Sequence, residues 1–283
     1  MNILTFDVEE WFHILDHEST RAVAGWSGYE SRIRRNMDRI VGALQQRNQK
    51  ATFFCLGWIA QQYPEVIRDL VSAGYEIGSH GFSHQLVYEQ TKDDFQKDLD
   101  LSIKVFEDIA GEKIRYYRAP GFSIREDSSW AFEILALRGI EVDCSVFPAP
   151  RAHGGFPSYR APVPSILKSG DIRLKELPIS YVTIAGKPLI FSGGGYFRIF
   201  PYRLIKGWTG GSNYVMSYLH PRDFDADQPW IPGLPPARLF KSYVGLAGAL
   251  GKLQQWMDEF TFVDIKTALE LIDWRNVPVV DVT

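Results

Sequence analysis

The chain has 283 residues, 45% of them hydrophobic, and a formal net charge of -3. That is enough apolar material for one large domain, and it carries neither the basic stripe of a nucleic-acid binder nor a long acidic run. Two cysteines, Cys55 and Cys144, exclude a disulfide scaffold and a cysteine-built zinc site.

The first element is the apolar run Ile3–Val8, a strand buried on both faces. It starts almost at the first residue, with no charged-then-apolar leader and no stretch long enough to span a membrane, which predicts a cytoplasmic location. Ile33, Met37, Ile40, Val41 and Leu44 share one helical face. Residues 50–57 read as a second strand. Pro64 opens a helix that Gly74 closes, and Tyr75–Ser79 is a third strand. Thr91 and Asp94 begin a long helix ending at Gly111, and Ile114–Arg118 is a fourth strand. Trp130–Arg138 is helical, Gly139 ends it, and Ile140–Cys144 is a fifth strand.

Helix, glycine, strand is the grammar of βα units around a parallel sheet. The Pro- and Gly-rich text from Phe147 to Asp171 reads as a surface excursion. Leu174–Ser180 and Asn213–Leu219 are later strands. After Pro221–Pro236 come a helix over 239–260, the strand Thr261–Val263 and a last helix. The reading is α/β, a distorted (β/α) barrel with about seven parallel strands. One domain covers 1–283, with 224–283 as an extension packed on the barrel.

Polar residues stand at strand ends: Asp7, His80, Arg118, Asp143 and His220. In a parallel barrel these ends share one rim, where active sites are built, so five distant residues converge. His80 and His84 are four apart; on a helical turn both would face one way, about 6 Å apart along the axis, which suits two ligands of one metal. Asp7, Glu9 and Glu10 follow the first strand and could supply an anionic ligand and a base. Residues i and i+2 of a strand share a face, which pairs Asp7 with Glu9 and makes Glu9 the expected ligand and Glu10 the alternative. Arg118 in the rim would hold a nearby carboxylate charged. His220, in Tyr218-Leu219-His220-Pro221, suits acid/base work, and His13 reads as a partly exposed bystander.

Thr5-Phe6-Asp7, Ala51-Thr52-Phe53-Phe54, His80 to His84, Arg118 to Gly121 and Leu219-His220-Pro221 occur in an order that resembles the polysaccharide deacetylases with a NodB-type homology domain, carbohydrate esterase family 4. The text around Gly193–Arg198 and Tyr218–Asp223 resembles a branch found beside bacterial exopolysaccharide and surface-glycan loci. The resemblance implies removal of N-acetyl groups from a carbohydrate. It implies one divalent metal on Glu9, His80 and His84, zinc by default, with cobalt, nickel, iron or manganese able to substitute. Asp7 would be the base, held by Arg118; His220 the acid, oriented by Asp143. Position 8 is Val where the family commonly has a second Asp, and Cys144-Ser145 follow Asp143 where an aromatic is often found. Trp11, Phe12, Pro120, Gly121 and Tyr196 are candidates for the sugar-facing wall, with Trp208 and Trp230 as further stacking surfaces.

Two rival readings share the barrel: an allantoinase-like hydrolase of cyclic amides or ureides, and a carbohydrate-binding relative without turnover. Acetate release from an N-acetylated sugar discriminates them.

Overall fold

The structure is a computed structural model describing every residue except 16, 151, 152 and 161; the side chains of 18 and 19 are also left undescribed. Its strands in chain order are β1 (Asn2–Ile3), β2 (Thr5–Val8), β3 (Thr52–Cys55), β4 (Glu76–Ser79), β5 (Tyr116–Tyr117), β6 (Val142–Asp143), β7 (Ser165–Ser169), β8 (Ile172–Glu176), β9 (Val182–Ile184), β10 (Lys187–Leu189), β11 (Val215–Met216) and β12 (Val279–Asp281). Eight form one sheet in the order β12-β7-β8-β6-β5-β4-β3-β2, parallel except for the antiparallel pair β7–β8.

The sheet curls into a distorted barrel whose ladder does not close. At one edge β1 pairs with β11, and Phe6 bridges to Leu219 in parallel. On its far side β11 faces the segment after β8, with no backbone ladder between them among the described residues. Side chains span the gap: the Tyr214 hydroxyl donates to the Pro178 carbonyl (2.7 Å), and the Met216 N–H donates to Ser180 Oγ (3.0 Å).

The pleat sorts side chains into two layers. Phe6, Val8, Phe53, Ile77 and Tyr117 pack outward against the helices. Ile3, Phe54, Tyr116, Val142, Cys144, Leu177, Ile179 and Met216 fill the interior. Thr5 and Asp7 alternate with the outward residues, and Asp7 lies in register with Phe54, so Asp7 points inward. Both cysteines are buried and unbridged.

Several elements differ from the sequence reading. The stretch from Phe147 to Asp171 is no simple excursion: it contains β7, and Phe147, Phe156 and Tyr159 are buried in it. Residues 151, 152 and 161 of that stretch lie outside the described residues. A helix, Gly57–Gln62, follows β3 directly, because the apolar run continues into it. The helix expected over 239–260 is two, Pro236–Tyr243 and Leu246–Glu259, broken at Gly245, whose φ is 73°. Thr261–Val263 contributes a single bridge, Ile3 to Val263.

Gly193 sits where two chain segments approach closely. A Cβ there would lie 2.2 Å from the Tyr218 carbonyl oxygen, which is backbone and cannot swing aside. Gly193→Ala should therefore cost about 3 kcal/mol or more of stability. Urea unfolding measures this; an unchanged midpoint would contradict the close approach.

Candidate active site

Glu9 leaves β2 on the same face as Asp7, and its Oε1 lies 2.9 Å from His80 Nε2 and 2.9 Å from His84 Nε2. The three donor atoms lie within 4.8 Å of one another, and all three residues are buried. The protonation pattern asks for a cation. His80 Nδ1 lies 2.8 Å from the Arg118 carbonyl oxygen, so that nitrogen must donate. A neutral imidazole then has only a lone pair on Nε2, and that lone pair faces a carboxylate. A proton on Nε2, or a divalent ion held by Glu9, His80 and His84, would remove the conflict, and the carbonyl-fixed tautomer is what metal-binding histidines use. Burial pushes the Glu9 carboxyl up, but His84, His80 and His220 outweigh it and hold it well below the usual carboxylate range.

The histidines do not converge on a helical turn, contrary to the sequence expectation. Residues 80–84 are a loop with left-handed backbone at Gly81 (φ 73°) and His84 (φ 54°). A non-glycine residue at such φ is uncommon and must be held there. Asp98, from the helix Lys92–Ala110, holds it: its carboxylate accepts the Phe82 N–H (2.7 Å), the Ser83 N–H (3.0 Å) and the Ser83 hydroxyl. Sequence reasoning missed Asp98, because nothing in helical periodicity marks a side chain that receives a loop from another element.

Glu10 turns away from this cluster. Its carboxylate accepts from Arg32 N (2.9 Å), Ile33 N (3.1 Å) and Ser31 Oγ, and so serves the start of the helix Ile33–Gln45. The strand alternation that separates Glu9 from Glu10 thus gives the two carboxylates different tasks. His13 is buried, not partly exposed. Its ring packs on Trp26 at 4.1 Å, and its Nδ1 accepts the Glu10 N–H. Burial and the neighbouring His84 hold its pKa well below the ordinary value.

Beside the cluster, Asp7 Oδ1 accepts from Arg118 Nη1 at 2.7 Å. Arg118 is wholly buried: Nη1 also reaches Thr5 Oγ1 (2.7 Å), and the guanidinium lies 4.2 Å from the Phe54 ring centroid. His220 Nε2 stands 3.9 Å from Asp7 Oδ2, brought there because Asp7 N–H donates to the Leu219 carbonyl at 2.8 Å.

The partner of His220 is Asp223, not Asp143. Asp223 Oδ2 lies 3.1 Å from His220 Nδ1 and accepts the His220 backbone N–H at 2.9 Å. Its other oxygen, Oδ1, lies 3.0 Å from Arg198 Nε. Asp143 sits between Val142 and Cys144, both inner-layer residues, so the pleat turns it the other way. It accepts from Ser145 N (2.9 Å) and Oγ (2.6 Å), and burial pushes its carboxyl up, as it does that of its neighbour Glu176. The signal for Asp223 was present in His220-Pro221-Arg222-Asp223: a turn opened by proline with an acid three residues past the histidine.

The expected sugar-facing residues are dispersed. Trp11 and Phe12 are buried in an aromatic cluster with Tyr29, because the chain turns them inward after the strand. Pro120 is buried, and a Cβ on Gly121 would strike Leu15 at 2.6 Å, so that loop is covered. Trp208 packs against Phe191 and Phe200. Tyr196 and Trp230 remain exposed, Tyr196 stacked on Phe200 and Trp230 on Tyr243.

Burial alone would lower the His220 pKa, but Asp223, Glu9 and Asp7 outweigh it and push it up to about 9. A raised pKa keeps the ring protonated up to that pH. Asp223→Asn should lower the ring's pKa by a unit or more in metal-free protein, as followed by NMR; an unmoved titration would remove Asp223 from this role. Zinc titration separates the two glutamates. Glu9→Gln should weaken metal binding about tenfold or more. Glu10→Ala should keep metal affinity and lose about 1–2 kcal/mol of stability as the helix start loses its acceptor. The reverse pattern would make Glu10 the ligand.

Residues 19–140 match the family model described as polysaccharide deacetylase, and residues 144–270 match a domain of unknown function, DUF3473. The peptidoglycan-N-acetylglucosamine deacetylase of Bacillus cereus is 30% identical over 96 residues, 34% of this chain and 35% of that protein. The chitooligosaccharide deacetylase of Azorhizobium caulinodans is 29% identical over 93 residues, 32% of this chain and 41% of that protein. The chain therefore spans well under half the length of these relatives. A Mycobacterium smegmatis structure provisionally named a polysaccharide deacetylase superposes with a TM-score of 0.64 at 21% identity, covering 97% of this chain and 90% of that one. A carbohydrate esterase family 4 pseudoenzyme from Bacillus anthracis superposes at 0.52 and 12% identity, covering 99% and 66%. These likenesses carry the fold; since a pseudoenzyme shares it, activity has to be argued from the side chains.

Proposed function

We propose that this chain, which belongs to the polysaccharide deacetylase family through residues 19–140, is a metal-dependent hydrolase that removes N-acetyl groups from an amino-sugar-containing carbohydrate. The observation that carries the reading is the meeting of three groups on one rim: the Glu9–His80–His84 cluster, the Asp7–Arg118 pair and the His220–Asp223 pair. We take the whole chain as one domain, because the sheet draws β2 to β6 from the first half and β7, β8 and β12 from the second.

Glu9, His80 and His84 would hold one divalent ion, zinc being the ordinary choice for such ligands. When bound, the ion polarises the acetyl carbonyl and lowers the pKa of water. The protein's own groups do the proton work. Asp7 Oδ2 is free of Arg118, which occupies Oδ1, and is placed to take a proton from the attacking water. Arg118 fixes the orientation of that carboxylate and supplies its buried counter-charge. His220, protonated by its acidic neighbours, gives a proton to the departing amine nitrogen, without which an amine leaves poorly. Asp223 fixes the ring through Nδ1, so that Nε2 faces the reacting groups.

Among the described residues no helix is long and apolar enough to cross a membrane.

The test is acetate release across acetylated sugars, nucleotide-sugars and glycan polymers. Chelation should abolish it and a divalent ion restore it. His220→Ala should cut turnover on amides about 10²–10⁴-fold, with smaller losses on activated aryl acetates. Asp7→Asn should keep its metal and lose almost all turnover. Full activity in verified metal-free protein would overturn the mechanism.

A further inference from the structure

Arg222 follows His220-Pro221 directly and takes no part in the proposed proton transfers. Its Nη2 is shielded from solvent and has no hydrogen-bond partner among the described residues. The acid beside it in sequence is already committed: Asp223 serves His220 at 3.1 Å and Arg198 at 3.0 Å. Arg198 is committed too, because its Nη1 and Nη2 donate to the carbonyls of Lys241, Ser242 and Val244 at the end of the helix Pro236–Tyr243. Arg198, Arg222 and His220 thus share one neighbouring carboxylate.

Burial and Arg198 lower the Arg222 pKa, while Asp223, Tyr243 and Glu9 act in the opposite direction. His13, packed near His84, also feels the Arg222 charge. Arg222 lies in the turn Pro221–Phe224 that His220 opens, directly beside the proposed acid and its partner Asp223. A shielded guanidinium nitrogen without an acceptor is costly to maintain, and a planar array of N–H donors matches a carboxylate or phosphate.

We propose that Arg222 binds an anionic substituent of the substrate, so that the protein selects an acidic N-acetylated amino sugar over a neutral one. This rests on the deacetylase reading for the identity of the sugar and adds a charge requirement to it. The anion is a carboxylate or a phosphate, and the probes distinguish its position.

Calorimetry on the zinc-loaded full chain would compare four ligands: N-acetylglucosamine, its C6 carboxylate analogue N-acetylglucosaminuronic acid, the lactyl ether N-acetylmuramic acid, and N-acetylglucosamine 1-phosphate. At least one acidic ligand should bind about tenfold or more tighter than the neutral sugar, as expected for a charge-assisted hydrogen bond. Arg222→Gln should erase that preference, and Arg222→Lys should keep part of it; unfolding midpoints identify any variant that fails to fold. Equal binding of all four ligands by the unaltered protein would overturn the proposal. So would an acidic preference that survives in folded Arg222→Gln, which would assign the anion to the metal. Acetate release is read separately: binding selectivity without release from any ligand would count against the deacetylase reading and leave the anion site standing.

Discussion

The Asp7–Arg118 ion pair ties the barrel together from inside. One guanidinium reaches Thr5 and Asp7 of β2, the Cys144 carbonyl beyond β6 and the ring face of Phe54 in β3. Arg118 itself stands at the end of β5, so four strands meet on one side chain. Such a pair gives little net stability, since desolvating both charges offsets their attraction, yet removing one partner typically costs about 3–5 kcal/mol. The arrangement tolerates neither a lone acid nor a lone arginine. It makes most sense as a device that fixes the direction of one carboxylate in a place where water does not compete.

The strand ends were legible because each apolar run stops at a polar residue, and a parallel barrel brings those ends to one rim. The i, i+2 rule also separated Glu9 from Glu10, since a pleat has only two faces. What was not legible depended on contacts between elements. Asp98 reaches the histidine loop from a helix that otherwise looks like an ordinary amphipathic one. β12 lies at the far end of the chain and pairs with β7 inside a stretch whose prolines and glycines suggested a loop. Asp143 reads as a rim residue in the sequence because a strand-end acid looks the same whichever way it faces. Trp11 and Phe12 read as a sugar wall in the sequence because their burial depends on Tyr29, Trp26 and Trp58 arriving from elsewhere.

The rim is assembled from separate parts of the chain. Asp7 and Glu9 precede the stretch matched to the deacetylase family, which contributes His80, His84 and Arg118. His220, Asp223 and Arg198 come from the stretch matched to the domain of unknown function. His220, Asp223 and Arg198 thus belong to one matched stretch, while His80, His84 and Arg118 belong to the other. Arg222, the residue proposed to read the charge of the substrate, lies in the second stretch as well.

The pairing of β2 with the segment at Leu219 has a consequence for how the molecule comes into being. The Thr5 N–H finds its acceptor on Ser217, 212 residues downstream. At ribosomal speeds of about 5–20 residues per second, that partner follows roughly 10–40 s later. Throughout that interval the nascent chain holds a strand with one raw edge and a carboxylate without its imidazole; its guanidinium, 111 residues downstream, arrives about halfway through. Contacts of such long sequence separation are slow to form and leave the early chain open to mispairing. The last third of the polypeptide therefore both completes the rim and closes a vulnerable edge, and assembly of the rim and protection from aggregation become one event.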